Sequence, residues 1–135
     1  MNVSGINTLQ ANEFVVTLEG ESLDTVLSCD TFEYLTPGGD GDKPLLTIDK
    51  LVEDDRDTVF NRWLAESLGS PDPSGRPRRT FVLTAVNDGR AIRRWTFQRA
   101  WIAAIGLSSF DSASYEFAVE RVRLGYDRVD CELLS

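Results

Sequence analysis

The chain has 135 residues, of which 41% are hydrophobic and 27% carry a charged side chain. This length suits one domain and this composition is typical of globular proteins, so the sequence predicts a single domain spanning residues 1–135. The net charge of −8 disfavours direct, specific binding of nucleic acid, because such binding draws on clustered Lys and Arg. No run approaches the roughly 18 apolar residues of a membrane span, so we expect a protein that is cytoplasmic when made and does not enter membranes.

The first part of the chain predicts two strands. Phe14–Glu19 is rich in β-branched and aromatic residues and is followed by Gly20, a pattern typical of a short strand that ends in a turn. Thr25–Leu35 predicts a longer strand, but its apolar residues change parity between Cys29 and Phe32. Such a change indicates a bulge, or a strand that passes between two environments.

The next segment predicts an exposed loop followed by a strand. Thr36–Pro44 concentrates Gly, Pro and Asp, which supply turns rather than core, whereas Pro44–Val52 resumes a β pattern. Asp40 and Asp42 stand between glycines and resemble a fragment of a calcium loop. The further oxygen ligands and the terminal Glu of an EF-hand are missing, so we expect no metal site here.

A helix is predicted in the middle of the chain, where apolar residues recur at spacings of three and four: Val59, Phe60, Trp63, Leu64 and Leu68. Gly69 suits its end, and Asp54 or Asp55 can cap its start. Together with Glu53 and Asp57, these acids form the densest acidic cluster of the sequence. We interpret the cluster as helix capping rather than as a carboxylate pair for acid–base catalysis.

A β-hairpin is predicted over Arg79–Asn87 and Arg90–Arg99, because the intervening Asp-Gly pair supplies the positive φ angles of a tight turn. The first arm is apolar on both faces, so we expect it in the middle of a sheet. In the second arm, Trp95 and Phe97 alternate with polar residues and should share one face.

Two further strands are predicted, over Trp101–Leu107 and over Ser114–Asp127, the second with a bulge or a change of face near Glu120. Strands therefore outnumber the single helix, and strand and helix do not alternate along the chain. The sequence predicts a mainly β fold, an antiparallel β-sandwich or barrel with one α-helix.

The side chains offer little catalytic chemistry. Histidine is absent, which removes the commonest general base and the usual activator of Ser and Cys. Cys29 and Cys131 have no companion for a zinc site; a disulfide between them and two buried free thiols are both open, and we favour the thiols. Trp63, Trp95 and Trp101 could stack on a ligand, but their amphipathic surroundings favour a place in the core or at an interface.

A resemblance to a known family rests on residues 78–130, which combine the hairpin, the strand motif R-W-x-F-x-x-A-W, a short loop and a long final strand. The motif positions are Arg94, Trp95, Phe97, Ala100 and Trp101. This pattern resembles the tail-tube protein family of contractile phage tails and related extracellular contractile injection systems. Upstream, the segments NEFVVTLEG, EYLTPGGDGDK and LTIDKLVEDDRDTVFNRWLAE resemble the opening strand, the Gly-rich loop and the strand-to-helix segment of that family.

What the resemblance implies is a tail-tube-like structural protein without enzymatic activity or cofactor. Its subunits would close into homohexameric rings that stack as the inner tube of a contractile phage-tail-like particle and meet its sheath and baseplate proteins. We expect the protein in the cytoplasm during assembly, and then in a virion or an injection particle. The candidate ring-stacking loop comprises Thr36, Pro37, Gly38, Gly39, Asp40, Gly41, Asp42 and Lys43.

Two departures from the family pattern keep alternatives open. Ile102 stands where the family commonly has Pro after the Ala-Trp pair, and the Val-Ser-Gly-Leu type segment usual before the second strand is missing. A tube initiator, a cap or a baseplate adaptor of the same fold is the first alternative. A monomeric ligand-binding β module is the second.

Overall fold

A computed structural model describes residue 9 and residues 13–35, 45–113 and 116–135. All strand pairings in these ranges are antiparallel, so the predicted mainly β fold with a helix is confirmed. No helix in the described ranges is long and apolar enough to cross a membrane. The elements in chain order are β1 (Phe14–Leu18), β2 (Glu21–Ser22), β3 (Val26–Cys29), β4 (Leu45–Leu51), α1 (Val59–Leu68), β5 (Arg79–Asn87), β6 (Arg90–Leu107), β7 (Val119–Gly125) and β8 (Arg128–Leu133).

The strands form two sheets that share β6. The first sheet has the order β2-β1-β5-β6, with β8 on the free side of β6, and the second has the order β6-β7-β4-β3. Asp88 and Gly89 have φ angles of 52° and 76°, which confirms the predicted hairpin turn between β5 and β6. Arg99, with a φ of 52°, lies where β6 leaves the first sheet, and from Trp101 onwards the strand pairs with β7.

The hydrophobic core lies between the two sheets and the helix. The first sheet contributes Phe81 and Phe97, the second contributes Ile48 and Val122, and α1 contributes Trp63, each at most 2% exposed. Burial of a large apolar side chain contributes about 1.5–3 kcal/mol, so these residues are the main source of stability. The predicted place of β5 in the middle of a sheet is confirmed, because it pairs with β1 on one side and β6 on the other.

The helix α1 begins after Thr58, whose side-chain oxygen accepts a hydrogen bond from the Asn61 backbone N–H at 3.1 Å. The prediction of Asp54 or Asp55 as the cap is therefore wrong. Both acids lie before a turn of the chain that precedes the helix. The Asp55 carboxylate accepts a hydrogen bond from a backbone amide of that turn and not from the helix. Gly69 ends the helix as predicted, with a φ of −78°.

The predicted strand Thr25–Leu35 is too long, because β3 ends at Cys29. Beyond this point Phe32 and Tyr34 leave the second sheet and pack their rings against Trp95 of the first, with centroid distances of 5.6 and 5.5 Å. The change of parity in the sequence reflects this passage between sheets. A register shift within β3 adds a bulge, which was the other interpretation of the pattern.

The C-terminal strands differ from their predictions. β6 is one continuous strand rather than two, and the final predicted strand is shorter, because β7 begins at Val119. The segment Arg128–Leu133 forms a separate strand, β8, beyond the strand predicted over Ser114–Asp127; its residues alternate between polar and apolar, a pattern typical of a strand. Near Glu120 the predicted bulge is wrong, because the register shift between β6 and β7 lies in β6, after Ile102. The predicted change of face is confirmed, because Phe117 is exposed whereas Val122 and Leu124 are buried.

Candidate assembly surfaces

The five motif residues all lie on β6, but they contact different surroundings. Phe97 is fully buried, and its ring meets those of Phe32 and Tyr126 at centroid distances of 5.2 and 4.9 Å. Trp95 is half-buried and also meets Phe32, so Trp95 and Phe97 share a face, as their alternation predicts. The indole N–H of Trp95 has no hydrogen-bond partner in the described part of the chain. This aromatic cluster ties the segment after β3 to the first sheet.

Ala100 and Trp101 lie where β6 passes into the second sheet. Ala100 is fully buried, and Trp101 packs its indole ring against Gly125, its partner residue on β7. A Cβ atom on Gly125 would lie 2.3 Å from the Cζ2 atom of Trp101, so only glycine leaves room for the ring. The Arg78 guanidinium lies 4.2 Å from the ring centroid, in a cation–π contact. Trp101 therefore joins β6, β7 and the segment before β5.

Arg94, the remaining motif residue, lies on the outer face of the first sheet. Its side chain is 40% exposed, and its Nη1 atom is 3.8 Å from the Glu132 carboxylate on β8. An ion pair this exposed contributes little to stability. Arg94 is therefore available to a partner, whereas the buried motif residues build the fold.

The candidate ring-stacking loop, Thr36–Lys43, lies outside the described residues. The described residues beside it present apolar side chains to solvent. Leu35 is 92% exposed, Tyr34 is 39% exposed and Leu45 is 45% exposed. Large apolar side chains that are exposed on neighbouring residues, as on Tyr34 and Leu35, are typical of a contact surface.

The second sheet ends in two open edges. In the described ranges β3 pairs with β4 alone, and the second half of β6 pairs with β7 alone. Arg76 covers part of the β6 edge, because its Nη1 atom donates to the carbonyl oxygens of Ile102 and Ala103 at 2.9 and 3.0 Å. The rest of this edge and the β3 edge keep backbone groups that another strand could pair with.

A buried ion cluster joins β4, β7 and the start of the helix. Lys50 is fully buried; its Nζ atom donates to Glu120 Oε2 at 2.9 Å and lies 3.0 Å from Glu53 Oε2. The same Nζ atom donates to the Leu51 carbonyl oxygen at 2.8 Å and lies 4.2 Å from the ring centroid of Phe60. The interpretation of Glu53 as part of a helix cap is therefore wrong. No spacing in the sequence indicates the cluster, because its members are brought together by strand pairing.

A polar cavity of 690 Å³ lies on the outer face of the second sheet, lined in part by Cys29, Asp49 and Arg121. Arg121 Nε donates to Asp49 Oδ1 at 3.0 Å, and this hydrogen bond raises the pKa of Arg121. Burial raises the pKa of the Cys29 thiol to about 12, so this thiol stays protonated at neutral pH. The cavity therefore contains a satisfied ion pair, and the Cys29 thiol, which packs against the hydrophobic core, is not an activated nucleophile.

Cys29 and Cys131 are both free thiols, and both are half-buried. We expect Cys29 to react with a thiol reagent at pH 8 roughly a thousandfold more slowly in the folded than in the urea-unfolded protein, because the thiolate is the reactive form and its fraction falls when the pKa rises to about 12. Labelling kinetics of a Cys131→Ser variant, in which Cys29 is the sole thiol, measure this ratio. Equal rates in the two states would contradict the assigned pKa.

Comparison with known proteins identifies this architecture. The family model described as T4-like virus tail tube protein gp19 matches residues 32–130. The chain belongs to this family. The resemblance inferred from the β6 motif is thereby confirmed, and the gp19-family chain is a structural protein rather than an enzyme. No curated protein matches the sequence.

Solved structures share the fold along almost the whole gp19-family chain. A chain of the extracellular contractile injection system PVC, in its extended sheath–tube complex, has a TM-score of 0.72 at 20% identity, covering 95% of this chain and 93% of that chain. A chain of the anti-feeding prophage tube-terminating cap has a TM-score of 0.71 at 19% identity, covering 98% and 96%. Hcp1 from Flavobacterium johnsoniae has a TM-score of 0.58 at 13% identity, covering 88% and 94%. At these identities the similarity shows the fold alone.

Proposed function

We propose that this gp19-family chain is the protomer of the inner tube of a contractile phage-tail-like particle, and that it assembles as hexameric rings that stack. The family match over residues 32–130 carries the proposal. The similarity in fold to a chain of the PVC sheath–tube complex, which covers 95% of this chain, supports it. The sheath and baseplate of the same particle are then its further partners, and the protein passes from the cytoplasm into the assembled particle.

Ring closure has a physical basis in the two open edges of the second sheet. The β3 edge and the second half of β6 are different surfaces, so a contact between them is heterologous. In a heterologous contact, each copy binds the next through the same two different surfaces. Such contacts close into a ring when the rotation between neighbouring copies allows it. Strand pairing across the contact would satisfy backbone groups that are open in the monomer.

The assembly state tests the proposal directly. Purified protein at high concentration should give ring-shaped end views and stacked side views in negative-stain electron microscopy. Light scattering should give the mass of six chains or of multiples of six. A protein that stays strictly monomeric over a wide range of concentrations would rule out the tube role and favour a ligand-binding β module.

Ring stacking is assigned in this proposal to Thr36–Lys43. The exposed apolar side chains of Leu35 and Leu45, on either side of the loop, support the assignment. Replacing Thr36–Lys43 by a Gly-Ser linker of the same length should leave single rings intact and prevent stacks. Stacks of unchanged length in electron micrographs would remove the loop from the stacking contact and leave the ring proposal standing.

A tube cap, initiator or baseplate adaptor of the same fold is the second candidate. A chain of the anti-feeding prophage cap has a TM-score of 0.71, close to the value of 0.72 for the chain of the sheath–tube complex. This similarity in fold supports the cap or adaptor role as a second candidate. The length of the assemblies separates the two roles. A main tube protomer should extend into long stacks at high concentration, whereas a cap or adaptor should stop at one ring.

A further inference from the structure

A cavity at one end of the second sheet presents apolar side chains to solvent. It has a volume of 690 Å³ and lies where β3 begins and β4 ends, beside the start of β7. Phe117 on its wall is 80% exposed and Val52 is 42% exposed, while Leu51 and Val59 add half-buried apolar surface. An exposed aromatic ring beside other apolar groups is the kind of surface that a partner buries.

Acidic side chains surround this apolar surface. Among the described residues that line the cavity, six are acids and one, Arg62, is a cation. The acids are Glu21, Asp24, Glu53, Asp54, Asp55 and Asp57. Arg62 pairs with Glu21, whereas Asp24, Asp54 and Asp57 are exposed and their carboxylates have no hydrogen-bond or ion-pair partner in the described part of the chain. The cavity therefore keeps negative charge that its own surroundings do not neutralise.

The charge of the chain disfavours a second copy as the occupant of the cavity. A second copy carries the same net charge of −8, and most of its basic side chains in the described ranges are already engaged. Lys50 is buried, six arginines pair with carboxylates, and Arg76 and Arg78 donate to backbone carbonyl oxygens. A different protein that supplies its own Arg or Lys matches the cavity better.

We propose that this cavity is the docking site for a basic segment of a different protein, one that combines Arg or Lys with an apolar side chain. The apolar side chain covers Phe117 and Val52, and the cations pair with Asp24, Asp54 and Asp57. Arginine suits the site in particular, because its planar guanidinium stacks on aromatic rings and binds carboxylates through two hydrogen bonds. Under the proposed function, on which only the source of the segment rests, that protein is another component of the same particle.

A labelled synthetic peptide in which Arg and Leu alternate probes the cavity of the purified chain. Fluorescence anisotropy should show binding that weakens roughly tenfold or more in an Asp24→Asn/Asp54→Asn variant and in a Phe117→Ser variant, since a few anchors carry most of the energy of an interface. Because these side chains are exposed, circular dichroism and the thermal midpoint should match those of the wild type. Peptides with Glu in place of Arg, or Ser in place of Leu, should bind roughly tenfold or more weakly.

Matched controls separate the cavity from the general negative charge of the chain. Glu33→Gln/Asp88→Asn removes two charges from exposed residues that do not line the cavity. Leu68→Ser removes an apolar side chain that is 71% exposed on α1 and does not line it either. Neither control should change the affinity for the peptide. Equal weakening by the controls, unchanged binding by the cavity variants, or a wild-type chain that does not bind the peptide would overturn the inference.

Electron microscopy of the same variants separates this inference from the proposed function. Cavity variants that form rings like the wild type but have lost the peptide support a cavity that serves another protein. Loss of rings in the cavity variants, with the controls unaffected, would show that a second copy occupies the cavity; the inference would then fail while the ring proposal stands. A wild-type chain that binds the peptide through the cavity and never forms rings would overturn the proposed function alone.

Discussion

A Lys50→Met variant should lose about 3–5 kcal/mol of unfolding free energy, the loss expected when one partner of a buried ion cluster is removed. Methionine can fill most of the space of the lysine stem, but it cannot donate to Glu120 and Glu53, whose carboxylates lie 2.9 and 3.0 Å from Nζ. The two acidic side chains are only 11% and 10% exposed, so water cannot fully replace the lost cation. Two nearby carboxylates would then remain without their cation in a poorly solvated place.

Urea denaturation followed by tryptophan fluorescence measures this loss. The matched control is Arg62→Met, because Arg62 pairs with Glu21 at 3.3 Å while the two side chains are 55% and 61% exposed. Its unfolding free energy should change by no more than about 1 kcal/mol. Adding Glu120→Gln to Lys50→Met should recover part of the loss, since one uncompensated charge is removed. A Lys50→Met protein as stable as the control would show that the cluster does not hold these elements together.

The parts of the fold that sequence reasoning predicts are those set by neighbouring residues. The hairpin of β5 and β6 follows from a strand pattern on each side of Asp88-Gly89, where positive φ angles are needed. The helix follows from apolar residues three and four positions apart, two of which, Phe60 and Trp63, are buried. The helical pattern also predicts that Phe60 and Trp63 enter the core, but it is wrong for Leu68, which is 71% exposed.

The parts that sequence reasoning misses depend on contacts between distant segments. The alternation of polar and apolar residues over Arg128–Leu133 is typical of a strand, but the pairing with β6 that places β8 in the first sheet is not visible in the sequence. β6 continues past Arg99 because it changes partners there, which no local signal shows. The motif on β6 identifies the family. It does not predict that Phe97 is buried and Arg94 exposed, because burial depends on how the two sheets pack.

The contact between Trp101 and Gly125 is also missed by sequence reasoning, because it depends on the register of β6 against β7. A methyl group on Gly125 would lie 2.3 Å from Cζ2 and 2.4 Å from Cε2 of the indole ring, well inside van der Waals contact. The ring cannot stay in place, and Trp101 would have to lose its contacts with β7 and with Arg78. Forced overpacking of this kind typically costs about 1–3 kcal/mol.

We therefore expect Gly125→Ala to lower the unfolding free energy by about 1–3 kcal/mol in urea denaturation. Gly106→Ala is the control from the neighbouring strand, because nothing lies within 4 Å of its added Cβ atom and its φ is not positive. That variant should be neutral or slightly more stable, since alanine restricts the unfolded chain. In a Trp101→Ala background, Gly125→Ala should cost almost nothing, because the ring that it displaces is gone. An undiminished cost in that background would place the strain somewhere other than the indole ring.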